Sequence, residues 1–260
     1  MTVLAAPFPA SPSSALLADL TPDSGLALRR WTPGEFRRLF SAEIFSAGET
    51  LALVDGEIVD ADSRTPRLFS RGEYYNLTNF GLLGPEERTE LIYGRIVKRM
   101  SPMSRPHSLS NINTADALQD AFGGQTAVER QMPLHVERGL EPEPDVMVLR
   151  GPSAEYTDAP RPADVLLLVE VSRSTLEYDR NTKSGLYAEN GIAEYWIVNL
   201  RARTLEVYRQ PDAGVYSDLR VHDETEAAAG RAEHLSARRR PAADGAGVKA
   251  APEKSGHQEI

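Results

Sequence analysis

The sequence predicts an α/β domain, of the α+β kind, over residues 67–212. Three observations lead to this prediction. Through that region the patterns follow the order helix, strands, helix, strands. Residues 164–171 are apolar enough to form a central strand of a sheet. With 41% hydrophobic and 26% charged residues among 260, the chain has the composition of an average globular protein and can form a substantial core.

Composition and charge exclude several classes of protein. The chain has no cysteine, so it has no disulfide, thiolate metal site or cysteine nucleophile, and it suits a reducing cytoplasm. Its longest apolar run, residues 165–169, is too short to cross a bilayer, and the N-terminus lacks the features of a signal peptide. We therefore expect a cytoplasmic protein with no membrane partner. The net charge of −9 excludes binding of nucleic acid by bulk electrostatics, so such contact has to be local or metal-assisted.

Both ends of the chain are predicted to stay outside the core. Residues 1–26 are rich in Ala, Pro and Ser and show no sustained periodicity, which predicts a disordered leader. Residues 213–260 are of low complexity, with few large apolar side chains after Val221, and this predicts a disordered tail. The basic run 238–240 in that tail is typical of a solvated charge cluster, although it could touch a phosphate.

An internal repeat precedes the main domain. An ungapped shift of 38 residues superposes residues 31–59 on residues 69–97. The matched pairs include Gly34 with Gly72, Glu35 with Glu73, Leu39 with Leu77 and Gly56 with Gly94. Each copy predicts a short helix, a turn and a strand. Two copies are too few for a solenoid, so we interpret residues 27–66 as a degenerate copy of a duplicated N-terminal helix-strand module.

Local signals set the elements of residues 67–212. Ser104 predicts a helix N-cap, and apolar side chains then recur at helical spacing until Gly123. Asp179 predicts the cap of a second helix that ends at Gly191. Strands are predicted at 126–136, 144–149 and 164–171, and a hairpin at 192–199 and 204–209.

Glu170 is the most informative residue, because it lies in the apolar run VLLLVEV. An unpaired carboxylate buried there is costly, so it calls for a cation or a metal as its partner. The alternative is a strand end at which the carboxylate meets water. If strands 145–149 and 164–170 form a hairpin, Asp145 and Glu170 are equidistant from its loop and lie side by side. Two such carboxylates repel unless they share a proton or a divalent cation.

Lys183 is the candidate cation for this pair. Its neighbours at i+3 and i+4 are Leu186 and Tyr187, so its ammonium lies on or beside the helix face that packs against the sheet. The alternative is a surface pair with Asp179 at i,i+4, which contributes little to stability. The residues alone leave both interpretations open.

Glu90 and His107 complete the candidates. Glu90 opens a predicted strand and stands where the first repeat copy has Ala52; the alternative is a solvated glutamate. His107 follows Pro106 at a helix start, where it could contact a phosphate or cap the helix. His107 and His135 are too far apart to indicate a zinc site. The sequence has no P-loop, GxGxxG, GxSxG or HExxH motif.

Five motifs in order resemble the Uma-two family of endonucleases. They are ELIYGRIV at 90–97 followed by SP at 101–102 and His107, PDVMVL at 144–149, LVEVS at 168–172, Asp179 with Lys183 and Tyr187 at four-residue spacing, and NGIAEYWIV at 190–198. Each motif is loose by itself, but the ordered combination over about 69–210 is specific.

The resemblance implies a fold and an activity. The family belongs to the PD-(D/E)XK superfamily, which includes many restriction enzymes, and implies a restriction-endonuclease-like mixed central sheet flanked by helices. It also implies cleavage of DNA phosphodiester bonds that depends on Mg²⁺, for which Mn²⁺ can substitute. DNA is then the partner, with His107 a candidate DNA contact. Because cutting both strands usually calls for two active sites, we expect a homodimer.

The resemblance also implies roles for the candidate residues. Asp145 would be the Asp of the PD element and Glu170 the acid of the second element, and both would hold the metal. Glu90 would be an auxiliary acid that completes the metal shell. In the superfamily a lysine normally follows the second acid by two residues, a position held here by Ser172, so its catalytic role would pass to Lys183.

Two other functions compete with a nuclease. One is a catalytically inactive protein that keeps the fold and binds DNA or a protein partner. The other is a glycoside hydrolase built on a carboxylate pair; such enzymes usually line the sugar cleft with aromatic side chains, whereas Trp196 lies in a predicted core strand and Trp31 outside the domain.

Overall fold

The structure is a computed structural model that describes residues 19–100, 104–124 and 126–225. In chain order its strands are β1 (Leu26–Leu28), β2 (Leu51–Val54), β3 (Glu57–Asp60), β4 (Thr89–Ile92), β5 (Arg95–Arg99), β6 (Ala127–Arg130), β7 (Val146–Leu149), β8 (Val165–Ser172), β9 (Glu194–Asn199), β10 (Thr204–Asp212) and β11 (Val215–Asp223). The helices are α1 (Pro33–Ser41), α2 (Arg71–Asn79), α3 (Arg105–Phe122) and α4, which joins Leu176–Tyr178, a π-helical turn Asp179–Lys183 and Ser184–Glu189.

A six-stranded sheet in the order β11-β10-β9-β8-β7-β6 forms the centre of the molecule. Strands β8 and β9 pair in parallel, and all other neighbours pair antiparallel. The parallel pair is connected through α4, since a parallel connection needs a crossover rather than a tight turn. The mixed central sheet flanked by helices is thereby confirmed.

Alternation of side chains along the strands divides the core between the two faces of this sheet. On one face, Val148 and Val169 pack with Leu118 of α3. On the other, Met147 and Leu168 pack with Leu186 of α4. Because both faces are covered by helices, β7 and β8 are apolar on both sides, which explains their continuous apolar runs in the sequence.

The N-terminal part forms two smaller sheets with a core of their own. Strands β2 and β3 form a hairpin, and β5 pairs with both β4 and β1. The sequence predicted one strand in each repeat copy, and this is wrong, because each predicted strand turns back on itself. Asp55-Gly56 and Tyr93-Gly94 have positive φ at both residues, as a tight two-residue hairpin turn requires.

The boundaries of the folded part differ from the sequence expectations. Asp19 is buried and accepts hydrogen bonds from Asn181 and Thr182, and β1 begins at Leu26, so the predicted leader extends too far into the fold. Strand β11 pairs along β10 within the predicted tail, whose start at 213 is therefore wrong. Residues 1–18 and 226–260, including the basic run at 238–240, lie outside the described residues.

Two other elements differ from their predictions. The strand expected at 126–136 ends at Arg130, because Gln131 adopts a φ of 51° that no strand continues. Asp179 does not cap a helix, since α4 begins before it and Asp179 lies inside the π-helical turn. The hairpin at 192–199 and 204–209 is confirmed by the pairing of β9 with β10. Among the described residues, no helix combines the length and apolarity needed to span a membrane.

Glu35 links the first helix to the N-terminal core and provides a pH test. Its carboxylate closes the capping box with Thr32 and accepts a hydrogen bond from Arg29, which lowers the pKa of Glu35 from 4.5 to about 2. The stability that this contact adds is present above the unfolded pKa of 4.5 and is lost as pH falls towards 2. Glu35→Gln should lower the free energy of unfolding by about 1 kcal/mol at neutral pH, measured by urea titration.

The difference between wild type and Glu35→Gln should shrink as pH falls below about 4, because Glu35 is then protonated in the unfolded chain and, near pH 2, in the folded protein as well. The exposed Glu86→Gln is the matched control and should change stability little at any pH. A constant difference across the acid range would contradict this account of Glu35.

Candidate active site

Asp145 and Glu170 come together through the register of β7 and β8. Val146 pairs with Val169, so the antiparallel register carried one step further sets Asp145 opposite Glu170. The hairpin geometry predicted from their spacing is thus confirmed, with a bulge between Val148 and Leu149 further along. Both carboxylates are buried, with exposures of 3% for Asp145 and 2% for Glu170. Asp145, directly before β7, therefore lies beside Glu170 of β8, and both acids are away from bulk water.

Lys183 reaches this pair from the π-helical turn of α4. Its ammonium lies 3.1 Å from Oε1 of Glu170 and 2.8 Å from Oε2 of Glu90, so one buried cation joins the central sheet to β4. The hydroxyl of Tyr187 also donates to Oε1 of Glu170, at 2.8 Å. The surface pair of Lys183 with Asp179 is wrong: Asp179 is buried and accepts hydrogen bonds from Ser172 and Thr175 instead.

The electrostatics keep Lys183 charged. Burial alone would lower the pKa of Lys183, but the Glu170 and Glu90 carboxylates outweigh it and raise that pKa well above its usual value. Burial raises the pKa of Glu170 to about 8; Lys183 opposes this shift, and the carboxylates of Asp179 and Asp145 add to it. Several carboxylates thus share the positive charge of Lys183 and Arg99, and a further cation would relieve the repulsion among them.

Helix α3 and the backbone hold Asp145 in place. Asn111 donates to Oδ1 of Asp145 at 3.2 Å, and the backbone N–H of Val171 donates to Oδ2 at 2.9 Å. Burial would raise the pKa of Asp145, but His107, Arg99 and the Val171 N–H together lower it. Asp145 is thus held as a carboxylate with both oxygens already oriented.

His107 faces Asp145 rather than the surface. Its Nε2 lies 3.3 Å from Oδ2 of Asp145, and the residue is 6% exposed. Neither ring nitrogen makes a well-aligned hydrogen bond to another described residue. A side chain in this position is better placed to orient Asp145 than to meet a DNA strand directly.

The donor set fits a divalent metal in chemical type. Mg²⁺ prefers oxygen ligands and is typically held by one or two carboxylates, the rest of its shell coming from water and substrate phosphate. Asp145 and Glu170 supply such a pair. Within the described ranges, no three His, Asp or Glu side chains converge as ligands, and Lys183 already engages Glu90. The arrangement is therefore suited to a site with two protein carboxylates rather than a closed cage.

Sequence reasoning missed Glu143, which lines a cavity of about 20 Å³ together with Glu90. This volume is near the 10–15 Å³ that one water needs, so the cavity has room for a water or an ion but not for a nucleotide. Burial and Glu90 raise the pKa of Glu143 to about 7. Its signal was present in the sequence EPEPD, where Glu143 precedes Asp145 by two residues and so shares its side of an extended chain.

Comparison with known protein families decides the membership of the chain. The sequence model of the Uma2 family, described as "Putative restriction endonuclease", matches residues 71–237, more than half of the chain. The chain belongs to the Uma2 family. All of the candidate residues lie inside the matched range, and the first repeat copy lies outside it. The resemblance carried by the five motifs is thereby confirmed.

Other comparisons add less to the Uma2 assignment. No curated protein matches the chain. One solved structure that it resembles is described as a "putative nuclease belonging to DUF820" from Anabaena variabilis. The match has 18% identity and a TM-score of 0.44 and covers 57% of this chain and 84% of the other. This similarity is too distant to transfer a function or a residue role.

Breaking the Lys183 bridge should strongly destabilise this Uma2 chain. Lys183→Met should lower the free energy of unfolding by about 3–5 kcal/mol, because it leaves buried carboxylates without their cation. Adding Glu170→Gln should restore part of this loss, since one uncompensated charge is then removed. Urea unfolding of the two single variants and the double variant measures the coupling.

Lys98→Met is the matched control. Lys98 is a partly exposed lysine that lies 3.1 Å from Glu87, and the loss should stay below about 1 kcal/mol. If Lys98→Met and Lys183→Met lower the free energy of unfolding equally, burial of the Lys183 bridge does not increase the cost of breaking it.

Proposed function

We propose that this protein is a divalent-metal-dependent endonuclease that hydrolyses phosphodiester bonds in DNA. The observation that carries the proposal is the placement of buried Asp145, directly before β7, beside buried Glu170 of β8, with the Lys183 ammonium 3.1 Å from Glu170. These are the residue types that the PD-(D/E)XK resemblance implies. The family description, a restriction-endonuclease-like nuclease, agrees with this chemistry.

Asp145 and Glu170 would hold the ion, Mg²⁺ or Mn²⁺ in its place. A bound divalent ion supplies positive charge opposite the scissile phosphate and makes water easier to deprotonate. Asp145 is prepared for this task, because Asn111 and the Val171 N–H already fix its orientation. His107 would act as a positioning residue for Asp145 through their 3.3 Å contact.

Lys183 would orient the attacking water and offset charge that develops on the phosphate. Its long side chain reaches Glu170 from α4, although the position two residues after Glu170 is Ser172. Glu90 would hold Lys183 in place through their 2.8 Å pair and could join the metal shell on substrate binding. Ser172 meanwhile donates to Asp179, a contact that helps hold β8 against the start of α4.

Supercoiled plasmid offers the most direct test of this activity. The wild-type protein should nick or linearise it in Mg²⁺ or Mn²⁺ but not in EDTA. Asp145→Asn and Glu170→Gln should each lower the rate more than about 100-fold, since loss of even an outer-shell partner of a metal site costs 10–100-fold. The exposed Asp116→Asn on α3 is the matched control and should cut at the wild-type rate.

Cutting that survives Asp145→Asn would contradict the assigned site.

A separate measurement addresses the catalytically inactive alternative, a protein that keeps the fold only for binding. Mn²⁺ should raise the melting temperature of wild type and of Asp116→Asn, and this increase should be lost in Asp145→Asn. No cutting on any DNA together with no stabilisation by metal would favour the inactive alternative. Cutting both strands of a duplex calls for two copies of the chain. Sedimentation of the protein bound to a duplex that it cuts should therefore show two chains per DNA.

A further inference from the structure

Two arginines face each other at the open end of the β4–β5 hairpin. Thr89 pairs with Lys98, so the register carried one step further sets Arg88 opposite Arg99, and the backbone N–H of Arg99 donates to the carbonyl of Arg88 at 2.9 Å. Directly opposed residues of an antiparallel pair point to the same face with Cβ atoms about 5 Å apart. The two arginine side chains therefore leave the backbone from neighbouring positions on one face of the hairpin.

This pair lies on the same side of the hairpin as Glu90. Arg88 precedes Glu90 by two residues, and alternation along β4 gives them a common face. Consistent with this, Arg88, Glu90 and Arg99 line one cavity, together with Glu143. The arginines thus stand at the edge of the acidic cluster.

Opposed like charges destabilise a sheet unless something else compensates them. Within the described residues, neither guanidinium forms an ion pair or a side-chain hydrogen bond, and Nη1 of Arg88 is buried without a partner. Burial and the neighbouring Arg99 lower the pKa of Arg88, which agrees with mutual repulsion. Other arginines behave differently: Arg67, for example, is held by two glutamates.

We propose that Arg88 and Arg99 form a clamp for a backbone phosphate of DNA at the mouth of the site. Guanidinium groups bind phosphate oxygens through paired N–H donors, and two of them on one face can hold a single phosphodiester. The clamp rests on the proposed function, whose substrate strand it positions next to Glu90. It also explains how a chain with a net charge of −9 meets DNA, because it supplies local positive charge where the strand has to lie.

The competing explanation is that both arginines only balance the acidic cluster. The carboxylates of Asp145 and Glu90 do raise the pKa of Arg99 against the effect of burial. A purely structural cation, however, is expected to contact its carboxylate, as Lys183 does at 2.8 and 3.1 Å. The two explanations differ in whether removing the arginines weakens binding of DNA.

Binding of fluorescent duplex and single-stranded DNA in EDTA, over a range of salt concentrations, tests the clamp without cleavage. Arg88→Gln and Arg99→Gln should each weaken binding about tenfold at low salt, independent of DNA sequence. Each should also lower the slope of log K against log salt by about 0.9 on duplex, or about 0.7 on a single strand. Arg99→Lys keeps the charge and should keep the slope.

Arg220→Gln is the matched control. Arg220 is exposed on β11 and pairs with Asp218, away from the cavity, so this variant should bind like wild type. The clamp is overturned if Arg88→Gln and Arg99→Gln bind like wild type, if Arg220→Gln weakens binding equally, or if wild type binds no DNA in EDTA. If Arg99→Gln fails to fold, as judged by circular dichroism, Arg88→Gln carries the same test from a half-buried position.

The plasmid assay separates this proposal from the proposed function. Arginine variants that lose binding while the wild type cuts no DNA with any metal would leave the clamp standing and remove the nuclease. If the wild type cuts DNA and the arginine variants bind DNA like wild type, the nuclease stands and the clamp is removed.

Discussion

The structure depends on one buried cation, the ammonium of Lys183, held between Glu170 of the central sheet and Glu90 of the N-terminal hairpin. An ion pair in the interior contributes little to stability by itself, because desolvation offsets most of the attraction. Breaking it is costly, since the remaining charges stay buried. The bridge therefore links β4 to β8, and it orients Glu90 and Glu170 towards one another.

The π-helical turn is what brings Lys183 to that position. Wider turns of this kind are uncommon and often occur at functional sites. Here the turn spans Asp179–Lys183, and Asp179 is held inside it by hydroxyl donors from Ser172 and Thr175. Burial raises the pKa of Asp179 to about 6, against the effect of these two donors. Helix α4 therefore holds the buried Asp179 within its first turns, and the same π-helical turn points Lys183 towards the interior.

Much of the central sheet could be predicted from local patterns. The apolar run at 164–171 and the equal spacing of Asp145 and Glu170 from the loop were enough to place both acids on paired strands. The start of α3 at Ser104 and its end before Gly123 also follow from local capping rules. The wrong boundaries at the two ends of the fold concern segments whose composition does not show the partner that they pack against. Asp19 depends on Thr182, and β11 depends on β10, so composition alone made both regions resemble disordered ends.

The sequence by itself determined the fold class, the family and the candidate acids, because strand alternation and motif spacing are properties of short stretches of chain. Only the tertiary structure decided which groups those acids meet. Nothing in the spacing of residues 88 and 99 relates them to Asp145, and His107 gave no sign that it faces this carboxylate. These contacts arise where separate elements pack together, and the resulting burial and charge are set by the whole fold rather than by any one segment.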